Sequence, residues 1–284
     1  MKEVLLGSDN IYTNFSGFKQ LLNFYDECKR YNNCSIKINL ANLNWLDGNL
    51  CAFLGALLYR LKKDNSLSFT IDTEQVIRKC NILFHNDFLP VEQNYALYKK
   101  QSCIPFKGFM PKQKDEFIAY IEDELLTHGS MPKFSYETKE KLMDDLIEVY
   151  GNIDKHAETT DPFFVCGQYF PKGEVINFTI SDIGVGFFKK INQCVPHKVT
   201  TCGEAILWAV EGNTTKPDAS GGLGLKNLRT YFDLTNGGLQ IYTGDAGWCS
   251  KTKGTVLYPD GLKTLDSNYI GAAINLQFNK KKLT

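Results

Sequence analysis

Apolar and polar positions alternate on a two-residue period over Ser35-Ile-Lys-Ile-Asn-Leu40, which predicts a strand with one buried face. A Leu46-Asp47-Gly48-Asn49 turn leads into an apolar-rich run over 49–62 that predicts a helix. Residues 67–71 then predict a second strand and 74–83 a second helix. Strand, helix, strand, helix implies a sheet with helices packed on it. Residues 99–114 carry Pro105, Gly108 and Pro111 among mixed polar residues and read as a linker. Phe117, Ile118, Ile121 and Leu125 stand at helical spacing, predicting a helix over 115–128. The Met131-Pro-Lys-Phe-Ser135 stretch breaks the chain, and Ser135 with Thr138 offers N-cap chemistry for a longer helix running to about His156. Within that helix Leu142, Leu146, Val149 and Ile153 form one apolar stripe, with Glu148, Asn152 and Lys155 on a polar stripe beside it. Residues 173–180 alternate strongly and predict a strand. Residues 187–220 have no strong apolar period outside 203–210 and read as a lid.

The 284 residues suffice for two ordinary domains, and 43% apolar with 23% charged residues is the balance of a globular chain. Formal net charge is zero, so no broad basic field points to nucleic acid or anionic lipid. The Lys280-Lys281-Lys282 run reads as a solvated tail. No secretory signal pattern opens the sequence, and the apolar stretch over 50–58 is far short of the ~20 residues of a spanning helix. A cytoplasmic location is expected, without membrane or nucleic-acid partners. Nine cysteines without a Cys-x-x-Cys pair fit reduced thiols. Cys194, His197 and Cys202 lack a fourth ligand for zinc and read as loop residues.

Four segments carry candidate chemistry. On the long helix, Asn152 offers a neutral oxygen to Mg²⁺, Lys155 a charge for phosphate, and Glu148, one turn earlier, a general base. At the end of the 173–180 strand, Asp182 is an acceptor-only carboxylate suited to the adenine amino group, and Gly184 and Gly186 permit close ligand approach. Ser220-Gly-Gly-Leu-Gly-Leu-Lys-Asn227 opens a helix reaching Phe232, and its exposed backbone N–H groups suit phosphate, although no Walker or dinucleotide spacing is present. Lys226 reads as a solvated helix residue. A final strand begins at Gly254 or Gly271, and Gly271 leads the run with the clear alternation.

In their order and spacing, these segments resemble the ATP-binding domain of the GHKL superfamily of gyrase, chaperone, histidine-kinase and MutL type. The resemblance makes Glu148, Asn152, Lys155 and His156 an N box, Asp182, Gly184 and Gly186 a first glycine box, Gly222, Leu223, Gly224 and Leu225 a second, and Gly271 the degraded last one. It implies an α+β chain whose residues 115–284 form a Bergerat fold, an α/β sandwich of a mixed sheet with helices on one face. Residues 1–100 resemble a STAS domain, a small α/β regulatory or docking unit, joined by a linker over 101–114. Asp47 fits the STAS turn, but Gly48 and Asn49 stand where a phosphorylatable serine is expected, so no phospho-switch is expected there. Anti-sigma-factor-like ATPases are the most similar members. The resemblance implies ATP and Mg²⁺ as cofactors, with Glu148 catalytic and Asn152 on Mg²⁺, and a nucleotide-dependent switch acting on a regulatory protein partner. A protein serine/threonine kinase and a non-hydrolysing ATP sensor remain as alternatives, and a homodimer stays open.

Overall fold

The computed structural model describes residues 1–90, 102–156, 159–215, 223–252 and 260–280. Its N-terminal elements are β1 (Lys2–Leu5), β2 (Asp9–Ile11), α1 (Phe15–Cys28), β3 (Ser35–Asn39), β4 (Leu43–Leu46), a 3₁₀ turn Gly48–Leu50, α2 (Cys51–Asn65), β5 (Ser68–Ile71), α3 (Thr73–Lys79) and α4 (Ile82–His85). Strands β1, β3 and β5 form a parallel sheet in that order, and β2 pairs with β4. Two caps define helix starts: Asn14 Oδ1 accepts from Gly17 N at 3.0 Å, and Asp72 Oδ1 accepts from Glu74 N at 2.9 Å. The helix predicted over 74–83 is split, because α3 ends at Lys79 with Cys80 as its C-cap and α4 restarts after Asn81.

The second half comprises β6 (Cys103–Phe109), α5 (Lys114–Tyr120) with a π-helical continuation to Leu126, α6 (Tyr136–His156), β7 (Phe163–Phe170), β8 (Val175–Asp182), α7 (Gly186–Cys194), α8 (Cys202–Val210), α9 (Gly224–Leu234), β9 (Gly238–Cys249) and β10 (Leu262–Asn279). Five strands form one sheet in the order β6-β7-β8-β10-β9. Three expectations are corrected here. Residues 103–109 are an edge strand rather than a linker; Pro105 is tolerated because it sits at an irregularity in the β6–β7 pairing, on a strand with a neighbour on one side only. Every described pairing in this sheet is antiparallel, not mixed. Helices cover both of its faces rather than one.

The first face carries Phe163, Val165, Ile176, Phe178, Ile180, Ile241, Leu276 and Phe278, which join the α6 stripe Leu142, Leu146, Val149 and Ile153 in one buried cluster with Leu228 and Phe232 of α9. The second face is covered by α1 and α2. Phe18 stacks on Tyr242 with ring centroids 3.7 Å apart, and Phe53 meets Tyr269 edge-on at 4.9 Å. Ile36 and Ile38 of the parallel sheet belong to the same cluster as Phe164, Tyr242 and Tyr269. Helices α1 and α2 therefore lie between the two sheets, which explains why α2 is buried all round from Cys51 to Leu57. The α/β segment and the antiparallel sheet share one core.

The second face also carries a buried polar network. Asn49, fully buried in the 3₁₀ turn before α2, donates to Thr179 Oγ1 (3.0 Å) and Asn275 Oδ1 (3.1 Å), and accepts from Thr13 Oγ1 (3.0 Å). Gly48 N donates to Gln168 Oε1, and Asp47 accepts from Thr13 and from Trp45 Nε1 (2.7 Å). The Asp47-Gly48-Asn49 turn is thereby fastened onto the sheet.

Candidate functional site

Helix α6 begins as its cap predicts, with Ser135 Oγ accepting from Thr138 N at 3.2 Å, and buries its apolar stripe against the sheet. That orientation turns the Asn152 side of the helix toward a cavity of about 110 Å³. The cavity is lined by Val149, Asn152 and Ile153 of α6, Asp182 at the end of β8, Gly186, Phe187, Lys190 and Ile191 of α7, Trp208 and Ala209 of α8, Asn213, Thr214 and Thr215, Leu225 of α9, and Ala272 and Ile274 of β10. Four residues expected to bind nucleotide, Asn152, Asp182, Gly186 and Leu225, thus meet around one space.

Asp182 and Ala272 are register partners between β8 and β10. The carboxylate accepts backbone N–H bonds from Gly184 (Oδ1, 2.8 Å) and Ala272, while burial pushes its pKa up to about 6. A carboxylate has lone pairs for several donors, so these bonds leave capacity for a ligand N–H. Gly271 holds φ at +137°, and a Cβ there would stand 2.3 Å from the Asp182 carbonyl oxygen. Glycine is required at this crossing by backbone conformation and space alike. Gly254 lies outside the described residues, as does Gly222.

Glu148 faces the start of α9: a Cβ on Gly224 would lie 3.0 Å from Glu148 Oε2. The candidate base and the first turn of the glycine-led helix are thus side by side, although neither residue lines the cavity itself. The N-cap of α9, Leu223, is 46% exposed and provides no side-chain cap. Lys226 is exposed, as expected. Lys155 and His156 fall in the last turn of α6, and their side chains lie outside the described set. Gly184 lines an adjoining cleft of about 1100 Å³, which also contains Gly186, Arg60, Lys63, Asp154 and Lys189.

Several contributors were missed in the sequence. The expected lid holds two helices, α7 and α8, with a small core of Ile191, Val199 and Ala205. Lys190 brings a cation to the cavity, and Trp208 an indole whose Nε1 is buried without a hydrogen-bond partner. The spacing of Phe187 and Ile191, one helical turn apart, was the available signal for α7. Asp145, one turn before Glu148, is buried with Oδ1 accepting from Asn227 Nδ2 at 3.0 Å and Oδ2 lacking a partner; burial pushes its pKa up to about 6. It ties α6 to α9.

No protein-family model, no curated protein and no solved structure matches the chain. Among the described residues no group of three or more His, Cys, Asp or Glu side chains is placed to hold a metal, and no helix is long and apolar enough to cross a membrane. A hard cation that keeps most of its waters and is shared with a phosphate ligand needs only one or two protein oxygens. Asn152 fits that limited role.

Proposed function

We propose that the chain is an ATP-binding switch of GHKL type that hydrolyses Mg-ATP, with Glu148 as the base. The observation that carries this reading is the convergence of Asn152, Asp182, Gly186, Leu225 and Ala272 on one cavity from four distant segments, with Glu148 beside the N-terminus of α9. Apolar Val149, Ile153, Ile191 and Ile274 suit the faces of a purine, and Asp182 suits its exocyclic amino group. A guanine carbonyl at that place would be repelled. Phosphates extending toward α9 would meet its first-turn N–H groups and the positive end of its dipole. Mg²⁺, held by Asn152, would neutralise phosphate charge, and Glu148 would accept the proton of the attacking water. The regulatory protein partner belongs to the same proposal.

The test is nucleotide binding followed by Trp208 fluorescence. The unaltered protein is expected to bind Mg-ATP at neutral pH, with affinity falling as pH drops below about 6 and Asp182 takes up a proton. Asp182→Asn should weaken binding at least about tenfold and remove that pH dependence. Glu148→Ala should keep ATP and lose phosphate release by ~10²-fold or more. Equal affinity in Asp182→Asn overturns the pocket assignment.

A further inference from the structure

We infer that Arg60 of α2 is a positioning residue for the candidate nucleotide pocket, a regulatory link that rests on the nucleotide reading above. Arg60 belongs to the N-terminal segment, yet its side chain is only 18% exposed and reaches the antiparallel sheet. Its Nη1 donates to the carbonyl of Ile183 at 2.9 Å and to that of Ile270 at 3.2 Å. Ile183 immediately follows Asp182, and Ile270 immediately precedes Gly271 and Ala272. One guanidinium thus bridges the two backbone segments just past the Asp182–Ala272 register pair, where the purine-recognising carboxylate is held.

The plane of the guanidinium is itself fixed, because Nε donates to Asp64 Oδ2 at 2.9 Å one turn along α2. A rigid planar fork can hold this geometry; an ammonium on a flexible stem has no such plane. A second tie runs in parallel: the Tyr269 hydroxyl donates to the Asp182 carbonyl, and its ring rests edge-on against Phe53, also of α2. Helix α2 therefore bonds the backbone of both strand ends through Arg60 and, through Phe53, packs on the ring whose hydroxyl bonds the Asp182 carbonyl. Any displacement of α2 moves the atoms that choose the base.

Neighbouring Lys63 provides the control. It ties the same helix to Asp161 without touching the strand ends. Gly184 N, bonded to Asp182 Oδ1, reports on the turn in the absence of nucleotide.

The experiment compares the full-length protein with Arg60→Lys, Arg60→Met and Lys63→Met. Hydrogen exchange at the Gly184 amide is measured without nucleotide, and Kd for Mg-ATP and Mg-GTP by fluorescence, with thermal melts to establish folding. Both Arg60 variants should stay folded, exchange Gly184 faster, lose about tenfold in ATP affinity and narrow the ATP-to-GTP preference, with Lys63→Met unchanged. Folded Arg60 variants with unaltered exchange, affinity and preference overturn the inference, as does an equal loss in Lys63→Met, which would make α2 docking alone responsible. If the unaltered protein binds no ATP while Gly184 protection still depends on Arg60, the nucleotide reading is overturned and Arg60 stands as a positioning residue for the turn.

Discussion

On the face of the five-stranded sheet toward α6 and α9, the inward side chains are Phe163, Val165, Ile176, Phe178, Ile180 and Leu276; on the face toward α1 and α2 they include Gln168, Thr179, Ser181 and Asn275 beside Phe164, Cys166 and Tyr242. Both faces are buried, but they constrain their covers differently. Apolar surfaces gain by area and accept many repackings of similar volume. A buried amide or hydroxyl must meet a partner at a set distance and angle, so the second face accepts one placement of the Asp47-Gly48-Asn49 turn and penalises others. The first face supplies stability, while the second specifies where the N-terminal segment sits and hence where Arg60 reaches.

Three measurements would break or sharpen that comparison. Phe178→Ala, on the apolar face, should cost about 3–5 kcal/mol in a denaturant titration, since it removes a fully buried ring and leaves a cavity. Asn49→Ala should cost about 1–3 kcal/mol by leaving Thr179, Asn275 and Thr13 short of partners. A triple change of Asn49→Leu, Thr179→Val and Asn275→Leu should cost clearly less than the sum of its single changes, because groups that bond one another are removed together and what is lost besides is the long bond from Asn275 Nδ2 to Asn177 Oδ1 (3.4 Å). Full additivity would mean that the network is not a unit.

The smallest effect is expected in the pH dependence of stability. The folded pKa of Asp182 is raised to about 6 from an ordinary 3.8, so the folded state binds this proton more tightly than the unfolded chain does. The resulting penalty is full above pH 6, declines as pH falls through 6, and is gone below 3.8. Asp182→Asn should therefore be more stable than the parent at pH 7, by less than the full penalty because the amide keeps one acceptor oxygen where the carboxylate has two. The variant should also gain less than the parent between pH 7 and 5, keeping the part due to Asp145, whose pKa is raised in the same way. A flat parent profile would show that the Asp182 carboxylate is better solvated than its burial implies.

Local pattern carried a good deal of this. The α6 stripe is buried at every expected position, β3, β5 and β8 lie close to where their periodicity placed them, α9 follows the glycine-rich segment read as its start, and Asn152 and Asp182, singled out by residue type and order, line one cavity. Strand β6 was hidden because Pro105 and Gly108 resemble a linker until an edge with one neighbour makes them acceptable. Helix α7 was hidden because it is short and takes its stability from Val199 and Ala205 outside its own sequence. The mate of Asp145, Asn227, is 82 residues away, and no spacing rule joins them.

Short-range periodicity thus determined which residues face inward, since facing depends on neighbours a turn or a strand position apart. Tertiary structure alone decided what each buried face meets: that α1 and α2 lie between two sheets, that Asn49 docks on Thr179 and Asn275, and that Arg60 joins Ile183 to Ile270. A one-dimensional pattern records that a surface must leave water, but the partner that replaces the water is chosen by long-range packing and hydrogen bonding, which the pattern does not encode.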